Sequence, residues 1–366
     1  MQVDHLHVPI AVRSRSGPSA LDVEGLDALL AQLPFTSRRR WLQAWADTHP
    51  DWDPWLVTVE DGGLLVAAAP LARRRRGPLC EVVLLGHGPT DDARLPARTS
   101  AAAQALADAV LDGLKGAWRL RLQQVPVDDP VVAALAARLR HVRLDAAQGM
   151  PLVRIGERDL NGYLSKNTRK ALAKISNRLK AAGLEPELRW TRDPDEVVAL
   201  LPELERVHRE RDLELGRRPD HDDPQSAAFY RTVIERHARA GEVDLLTLRL
   251  DGDLAAFVCG FRDGRALRSW DNRLSPRWAE LSAGRIANTE ALRHVVQGGE
   301  YDALDWMRGE EPYKLQSATE VVPTAVLTAW SALALRRADE LGVRAAAAAR
   351  TSPHLTRVGK RVRALR

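Results

Sequence analysis

The sequence predicts a mixed α/β chain built as two units of one plan, each a mostly antiparallel sheet flanked by helices. Three observations point there. Strand-forming runs in both halves are joined by tight turns, EDGG in the first and LDGD and RDGR in the second. In each half such a meander is followed by a helix and then one more strand. The 366 residues are enough for two domains that each bury a core. The expected divisions are a mobile start (1–20), a first unit (21–155), a second unit (156–330) and a basic helical tail (331–366).

In order along the first unit, LDVEGLDALLAQL and TSRRRWLQAWADTH read as amphipathic helices, with Trp41, Leu42 and Trp45 at helical spacing. PWLVTVEDGGLLVAAAPLARRRRGPLCEVVLLG supplies three strands, and Arg73–Arg76 fall where the second leaves the core, as a solvated strand end. TSAAAQALADAVLDGL is a helix, WRLRLQQVP a strand and DPVVAALAARL a helix. The second unit opens on NGYLSKNTRKALAKISNRLKAAG, one helix with Leu164, Leu172, Ile175 and Leu179 on a stripe, a basic opposite face and Gly183 as its stop. The strand ELRWTR and the helices DPDEVVALLPELERVHRERD and SAAFYRTVIERHARAG follow. Then come the meander VDLLTLRLDGDLAAFVCGFRDGRALRSWDNRLSP, the helix AGRIANTEALRHVVQGG, and the strands YDALDWM and PTAVLTAW. In the tail, Trp330, Leu333, Leu335 and Leu341 are expected to dock the first turns, ahead of a break at Ser352-Pro353.

Composition excludes several classes. Apolar and charged contents of 45% and 28% are globular values. No run reaches the ~18 apolar residues of a membrane span, and the start MQVDHLHVPIAVRSRSG has no apolar signal core, so a cytoplasmic protein is expected. Cys80 and Cys259 sit in apolar runs as buried free thiols. No Cys or His spacing suggests a metal. From residue 331 onward, nine cationic side chains stand against Asp339 and Glu340, so the tail carries +7 while the net charge is +5. The body is therefore slightly acidic, and the tail is the part suited to an anionic surface.

Polar residues concentrate at two strand ends. RSWDNR places Trp270, Asp271, Asn272 and Arg273 at one. DALDWMRGEEPYKLQ places Trp306, Arg308, Glu310, Glu311, Tyr313 and Lys314 at the other. The helix between them begins at Ser282, Ala283, Gly284 and Arg285. Its first N–H groups can hold an anion such as a pyrophosphate, with Ser282 able to cap, Gly284 allowing close approach and Arg285 adding charge. A crossover helix brings both clusters to one sheet edge, where ligands collect in α/β folds.

These segments resemble the Gcn5-related N-acetyltransferase (GNAT) superfamily, in its Fem-like and cellulose-biosynthesis acetyltransferase branch, whose members are similar to two GNAT folds in tandem. The pieces that match are LSKNTRKALAKISNRLKAAG, LRLDGDLAAFVCGFRDGRALRSWDNRLSP, LSAGRIANTEAL and YDALDWMRGEEPYKLQ, with FTSRRRWLQAWAD and LLVAAAPLARRRRG in the first half. The resemblance implies an acyltransferase using acetyl-CoA or another acyl-CoA, or an acyl carrier protein, to acylate a small-molecule or cell-envelope amine, with no metal. Where acetyl-CoA-dependent members carry Arg/Gln-x-x-Gly-x-Gly/Ala, this chain has Leu281, Gly284 and Ile286.

In such a reaction Asp271, Glu310 or Glu311 would take the amine proton, Tyr313 would protonate the leaving sulfur, and Lys314 would stabilise charge near the carbonyl. Lys314 and His208, on ERVHRERD, match positions that the branch uses. Trp270, Asn272 and the Ser282–Arg285 turn would face the donor, and Trp306, Arg308 and Glu311 the acceptor. RPDHDDP, with Asp220, His221, Asp222 and Asp223, reads as an acidic lid. Two other readings stand beside this one: a degenerate pair serving as a non-catalytic scaffold, and a Fem-like transferase drawing on aminoacyl-tRNA through the basic helix and tail.

Overall fold

A computed structural model describes residues 10–351. Its strands are β1 (Ala11–Ser16), β2 (Asp53–Asp61), β3 (Leu64–Arg76), β4 (Leu79–Leu84), β5 (Ala117–Pro126), β6 (Val142–Ala146), β7 (Met150–Arg154), β8 (Glu187–Thr191), β9 (Val243–Leu250), β10 (Asp253–Asp263), β11 (Ala266–Leu274), β12 (Ala303–Asp305), β13 (Glu320–Val322) and β14 (Thr324–Trp330). The α-helices are α1 (Leu26–Leu30), α2 (Arg39–Thr48), α3 (Ser100–Gly113), α4 (Pro130–Arg138), α5 (Leu160–Tyr163), α6 (Lys166–Ala181), α7 (Pro194–Glu214), α8 (Pro224–Arg239), α9 (Ala283–Gly298), α10 (Pro312–Leu315) and α11 (Leu333–Thr351).

Two seven-stranded sheets result, in the orders β1-β2-β3-β4-β5-β14-β6 and β13-β7-β12-β11-β10-β9-β8. The plan repeats. A meander, β2-β3-β4 or β9-β10-β11, is followed by a crossover helix, α3 or α9. The strand after each helix, β5 or β12, pairs in parallel with the last strand of its meander. The β2–β3 turn closes on Gly62 and Gly63, both at positive φ (58° and 80°), which glycine adopts without a Cβ penalty.

The sheets exchange strands. β7, which follows the first half, pairs with β12 in the second sheet. β14, which follows the second half, lies between β5 and β6 in the first. The sequence reading grouped PTAVLTAW with the second unit. Its alternation cannot tell one sheet from the other, because partner choice is a tertiary matter.

Several other expectations change. Residues 11–16, assigned to a mobile start, form β1, an edge strand whose ladder to β2 runs from Ala11–Glu60 to Ser16–Trp55. All its side chains are exposed, so no apolar face announced it. The single helix expected from Asn161 breaks into α5 and α6, because the Ser165 side chain caps α6 by accepting the Thr168 N–H. Cys80 is only half-buried, whereas Cys259 is buried. On α11, Leu333 and Leu341 are exposed. The helix is tied down instead by an Arg119–Asp339 ion pair (2.5 Å) and by Arg336 over the Trp330 ring. The Ser352-Pro353 break lies outside the described residues.

Three cores hold the fold. One packs α3 and α4 on the first sheet, and another packs α6 and α9 on the second. The third joins the halves: Phe35, Trp41 and Trp45 of the first meet Phe229, Phe257 and Phe261 of the second. The long boundary cavity of the candidate site opens beside this shared core. Among the described residues no helix is long and apolar enough to cross a membrane.

Candidate active site

The site begins where β11 and β12 part. They pair only over Ala266–Arg268 and Ala303–Asp305, after which β11 runs on to Leu274 while the other chain turns away. α9 crosses behind the gap. Most other helices here open on a capping side chain, at Thr99, Asp129, Ser165, Asp193 and Asp223. α9 does not. Ser282 closes the preceding turn in the left-handed conformation (φ 58°, ψ 38°) and its hydroxyl caps nothing. The expected Ser282 cap is therefore absent, because that backbone turns its side chain away from the first-turn N–H groups. An uncapped helix start is where an anion can substitute for the cap.

A groove of about 700 Å³ lies over this turn, bordered by Trp270, Asn272, Ser282, Gly284, Arg285 and the 306–314 segment. Gly284 touches Leu274, which a Cβ would approach to 2.6 Å. Ala283, expected at the donor, is fully buried and does not border the groove. Ile286 packs against the apolar core of the second sheet and leaves the groove free. These features suit a diphosphate or similar anion, with Arg285 the cation beside it.

The 306–314 segment folds into a polar knot. Met307 (φ 57°) and Gly309 (φ 113°) turn the backbone, and the Met307 N–H donates to Asp305 Oδ1 at 2.8 Å. Trp306 is buried, with its indole N–H on Ser317 Oγ (3.0 Å), so it forms wall and offers no free polar contact. The Lys314 ammonium, in a side chain only 7% exposed, donates to the Arg308 carbonyl at 2.6 Å and lies 3.2 Å from Glu311 Oε2. The Tyr313 hydroxyl shares a hydrogen bond with the Asn272 side chain at about 3.1 Å, and burial pushes its pKa up to about 12. Glu310 is not in the site. Its Oε1 accepts the Gly149 N–H at 3.0 Å, and it borders neither cavity, because Gly309 turns it toward β7.

Adjoining the groove, and sharing Asp91, Trp270, Arg273 and Arg308 with it, lies a second space of about 440 Å³ between the halves. His208 and Asp271 meet there. Asp271 Oδ2 accepts the Tyr230 hydroxyl at 3.0 Å, and Oδ1 lies 3.2 Å from Arg273 Nη1 and 3.9 Å from His208 Nε2. Burial alone would raise the Asp271 pKa, but Arg273, His208 and Tyr230 together hold it below the usual carboxylate range. Both its oxygens are thus engaged, and it shapes the site more than it offers a free base. His208 stacks on His221 at 4.3 Å, with Asp212 Oδ2 3.2 Å from its Nδ1 but not aligned for a hydrogen bond. His221 itself packs against Tyr230 with the rings tilted at 47° and centroids 4.4 Å apart, so the 220–222 turn forms part of the wall.

The sequence reading missed the first half's share of this wall. His49, His87, Gly88 and Asp91 border the cavity, and Arg308 Nε reaches Asp91 Oδ1 at 3.1 Å. The signal was present. GHGPTDD after β4 is a polar cluster at a strand end, the counterpart of RSWDNR after β11 in the repeated plan. Among the described residues no group of three or more His, Cys, Asp or Glu side chains is gathered as metal ligands would be.

A sheet whose parallel strands splay over an uncapped crossover helix, with a groove at the gap, is a fold of the GNAT type. Residues 166–315 match the model of the acetyltransferase (GNAT) domain family, and the chain carries such a domain in its second half. Across the whole chain the fold is similar to FemX (TM-score 0.59, 10% identity, covering 83% of this chain and 94% of that one). It is also similar to the C-terminal domain of a putative lysylphosphatidylglycerol synthetase from Agrobacterium fabrum (TM-score 0.54, 14% identity, covering 90% and 97%). No curated protein matches the chain by sequence.

Proposed function

We propose that this protein is an N-acyltransferase that moves an acyl group from a coenzyme A thioester to an amine. The observation that carries this reading is the pair of adjoining spaces that meet at Asp91, Trp270, Arg273 and Arg308. One is a groove over an uncapped helix start with a free cation, Arg285, suited to a diphosphate-bearing donor. The other is a cavity between the halves bordered by Asp91, Asp220 and Asp271 and by the rings of Phe229, Tyr230 and Trp270, suited to a cationic amine with an apolar body. The 308–314 segment stands beside the groove.

The donor carbonyl would lie near Lys314, whose buried ammonium stabilises negative charge developing on the carbonyl oxygen. Tyr313, oriented by Asn272, stands by the leaving sulfur. Asp271 fixes Tyr230, Arg273 and His208 along the amine side. A non-catalytic scaffold would not need a buried lysine at the groove.

The test is a thermal-shift series with free CoA, acetyl-CoA and longer acyl-CoAs, beside an aminoacyl-tRNA arm. A donor bound to the native state raises the melting temperature by mass action, by about 2.7 kcal/mol in stability at 100 times its Kd. A rise with CoA, followed by thiol release on adding amines, supports the reading. Stabilisation by aminoacyl-tRNA alone would replace the donor, and no response to either would leave a scaffold.

A further inference from the structure

The mechanism so far lacks a group to take the amine proton. Asp271 has both oxygens engaged and does not border the donor groove. Glu310 is tied to Gly149. Glu311 borders only the groove, is exposed, and lies against Lys314. Asp220 borders only the inter-half cavity.

We propose that Asp91, supplied by the first half of the chain, is the catalytic base that deprotonates the acceptor amine. Two independent observations meet in it. It is the one carboxylate among the described residues that borders both the groove and the cavity, at the wall where an amine from one space would meet a carbonyl from the other. Its residue is only 6% exposed, yet Oδ1 accepts no hydrogen bond, since Arg308 Nε at 3.1 Å is not aligned to donate. A buried carboxylate oxygen without a partner is costly and uncommon in a folded protein.

The assignment rests on the acyltransferase reading, and the step balances as follows. The amine arrives as an ammonium, and one proton passes to the Asp91 carboxylate and from there to solvent. The freed lone pair forms the C–N bond at the thioester carbonyl. The C–S bond breaks with its electron pair leaving on sulfur, and a second N–H proton ends on that sulfur, relayed by the Tyr313 hydroxyl. The products are amide, thiol and one released proton.

Burial pushes the Asp91 pKa up to about 6, against the pull of Arg308 and Lys314, with Asp305 adding to the rise. The other titratable and charged groups around the two spaces it borders are His49, His87, His208, Asp220, His221, Asp271 and Arg273 in the cavity and Arg211, Asp212, Arg217, Arg285 and Glu311 in the groove. A base of this strength is ionised at neutral pH and still basic enough to share a proton with an amine.

The experiment compares wild type with Asp91→Asn, Asp91→Glu and Arg308→Gln, using acetyl-CoA and a panel of primary amines (benzylamine, putrescine, lysine methyl ester). Thermal shift by free CoA is measured in parallel. The expected result is that Asp91→Asn lowers kcat/KM by about 100-fold or more and removes an acidic limb near pH 6, while the CoA shift stays at the wild-type value. Asp91→Glu keeps a limb, and Arg308→Gln moves it to higher pH, because the cation that favours the ionised carboxylate is gone. If Asp91→Asn does not fold, the limb's displacement in Arg308→Gln still decides the matter. Wild-type rate and limb in Asp91→Asn would overturn the assignment, as would equal losses in Asp91→Asn and Arg308→Gln with the limb unmoved. If wild type neither binds CoA nor acylates any amine, the acyltransferase reading itself fails and the assignment falls with it.

Discussion

The ring of Phe35, from the first half, stacks on that of Phe261, from β10 of the second, with centroids 4.3 Å apart and planes 15° from parallel. Trp41, Trp270 and His237 pack edge-on around the pair. The two halves therefore share a core, and β7 and β14 are exchanged between their sheets. Phe261→Ala is expected to cost about 3–5 kcal/mol and to lower one common unfolding transition for both halves. Denaturant unfolding followed by tryptophan fluorescence and far-ultraviolet dichroism checks this. Two separated transitions would show that the shared core does not couple them.

The division proposed at 155/156 is expected to mark related architectures and not separable pieces. Residues 21–155 expressed alone would lack β14, leaving β5 and β6 without the strand between them, and residues 156–330 would lack β7 beside β12. Each fragment should be insoluble or molten, and co-expression should restore a complex. A fragment with a cooperative melt of its own would refute this.

Acid stability should report on Asp244. Burial would raise its pKa, but His294, Arg192 and Tyr301 hold it at about 2, below the ordinary aspartate value of 3.8. A depressed carboxylate stabilises the fold at pH above its unfolded pKa, and that stability is lost as pH falls from about 4 toward 2. The shift corresponds to on the order of 2 kcal/mol. Asp244→Asn should lower stability at pH 7 by at least that much and flatten its dependence on pH below 4. An unchanged acid limb would exclude Asp244 as its source.

Donor binding should depend on the α9 start. Arg285→Ala is expected to weaken free CoA several-fold, with the difference shrinking at high salt. Gly284→Val should abolish the thermal shift, because the added methyls enter the space held by Leu274 and the ligand. CoA binding unaffected by either change would move the donor elsewhere.

At the carbonyl, Lys314→Met is expected to reduce kcat by about 100-fold with little change in CoA affinity, as for loss of an oxyanion donor. Tyr313→Phe should cost less, since Asn272 keeps its place and solvent can supply the proton. Single-turnover acyl transfer separates the two effects. Near-wild-type kcat in Lys314→Met would remove Lys314 from the chemistry.

Much of this was legible in the residues. The meanders and crossover helices followed from turn residues and period, and the clusters RSWDNR and RGEEPYK were rightly placed at neighbouring strand ends. Glu310 could not be separated from Glu311 without knowing that Gly309 turns the chain toward Gly149. β1 gave no signal because every side chain in it faces solvent.

Sequence alone determined the local elements, since hydrophobic period, caps and turn chemistry act within a few residues. It also carried the resemblance to the GNAT superfamily. Only the tertiary structure decided which sheet receives β7 and β14, and only it joined Asp91 to Arg308 and Tyr230 to Asp271, contacts whose partners lie 217 and 41 positions apart. Pairings of that range depend on how two sheets pack around one core, and no local pattern in the chain encodes the packing.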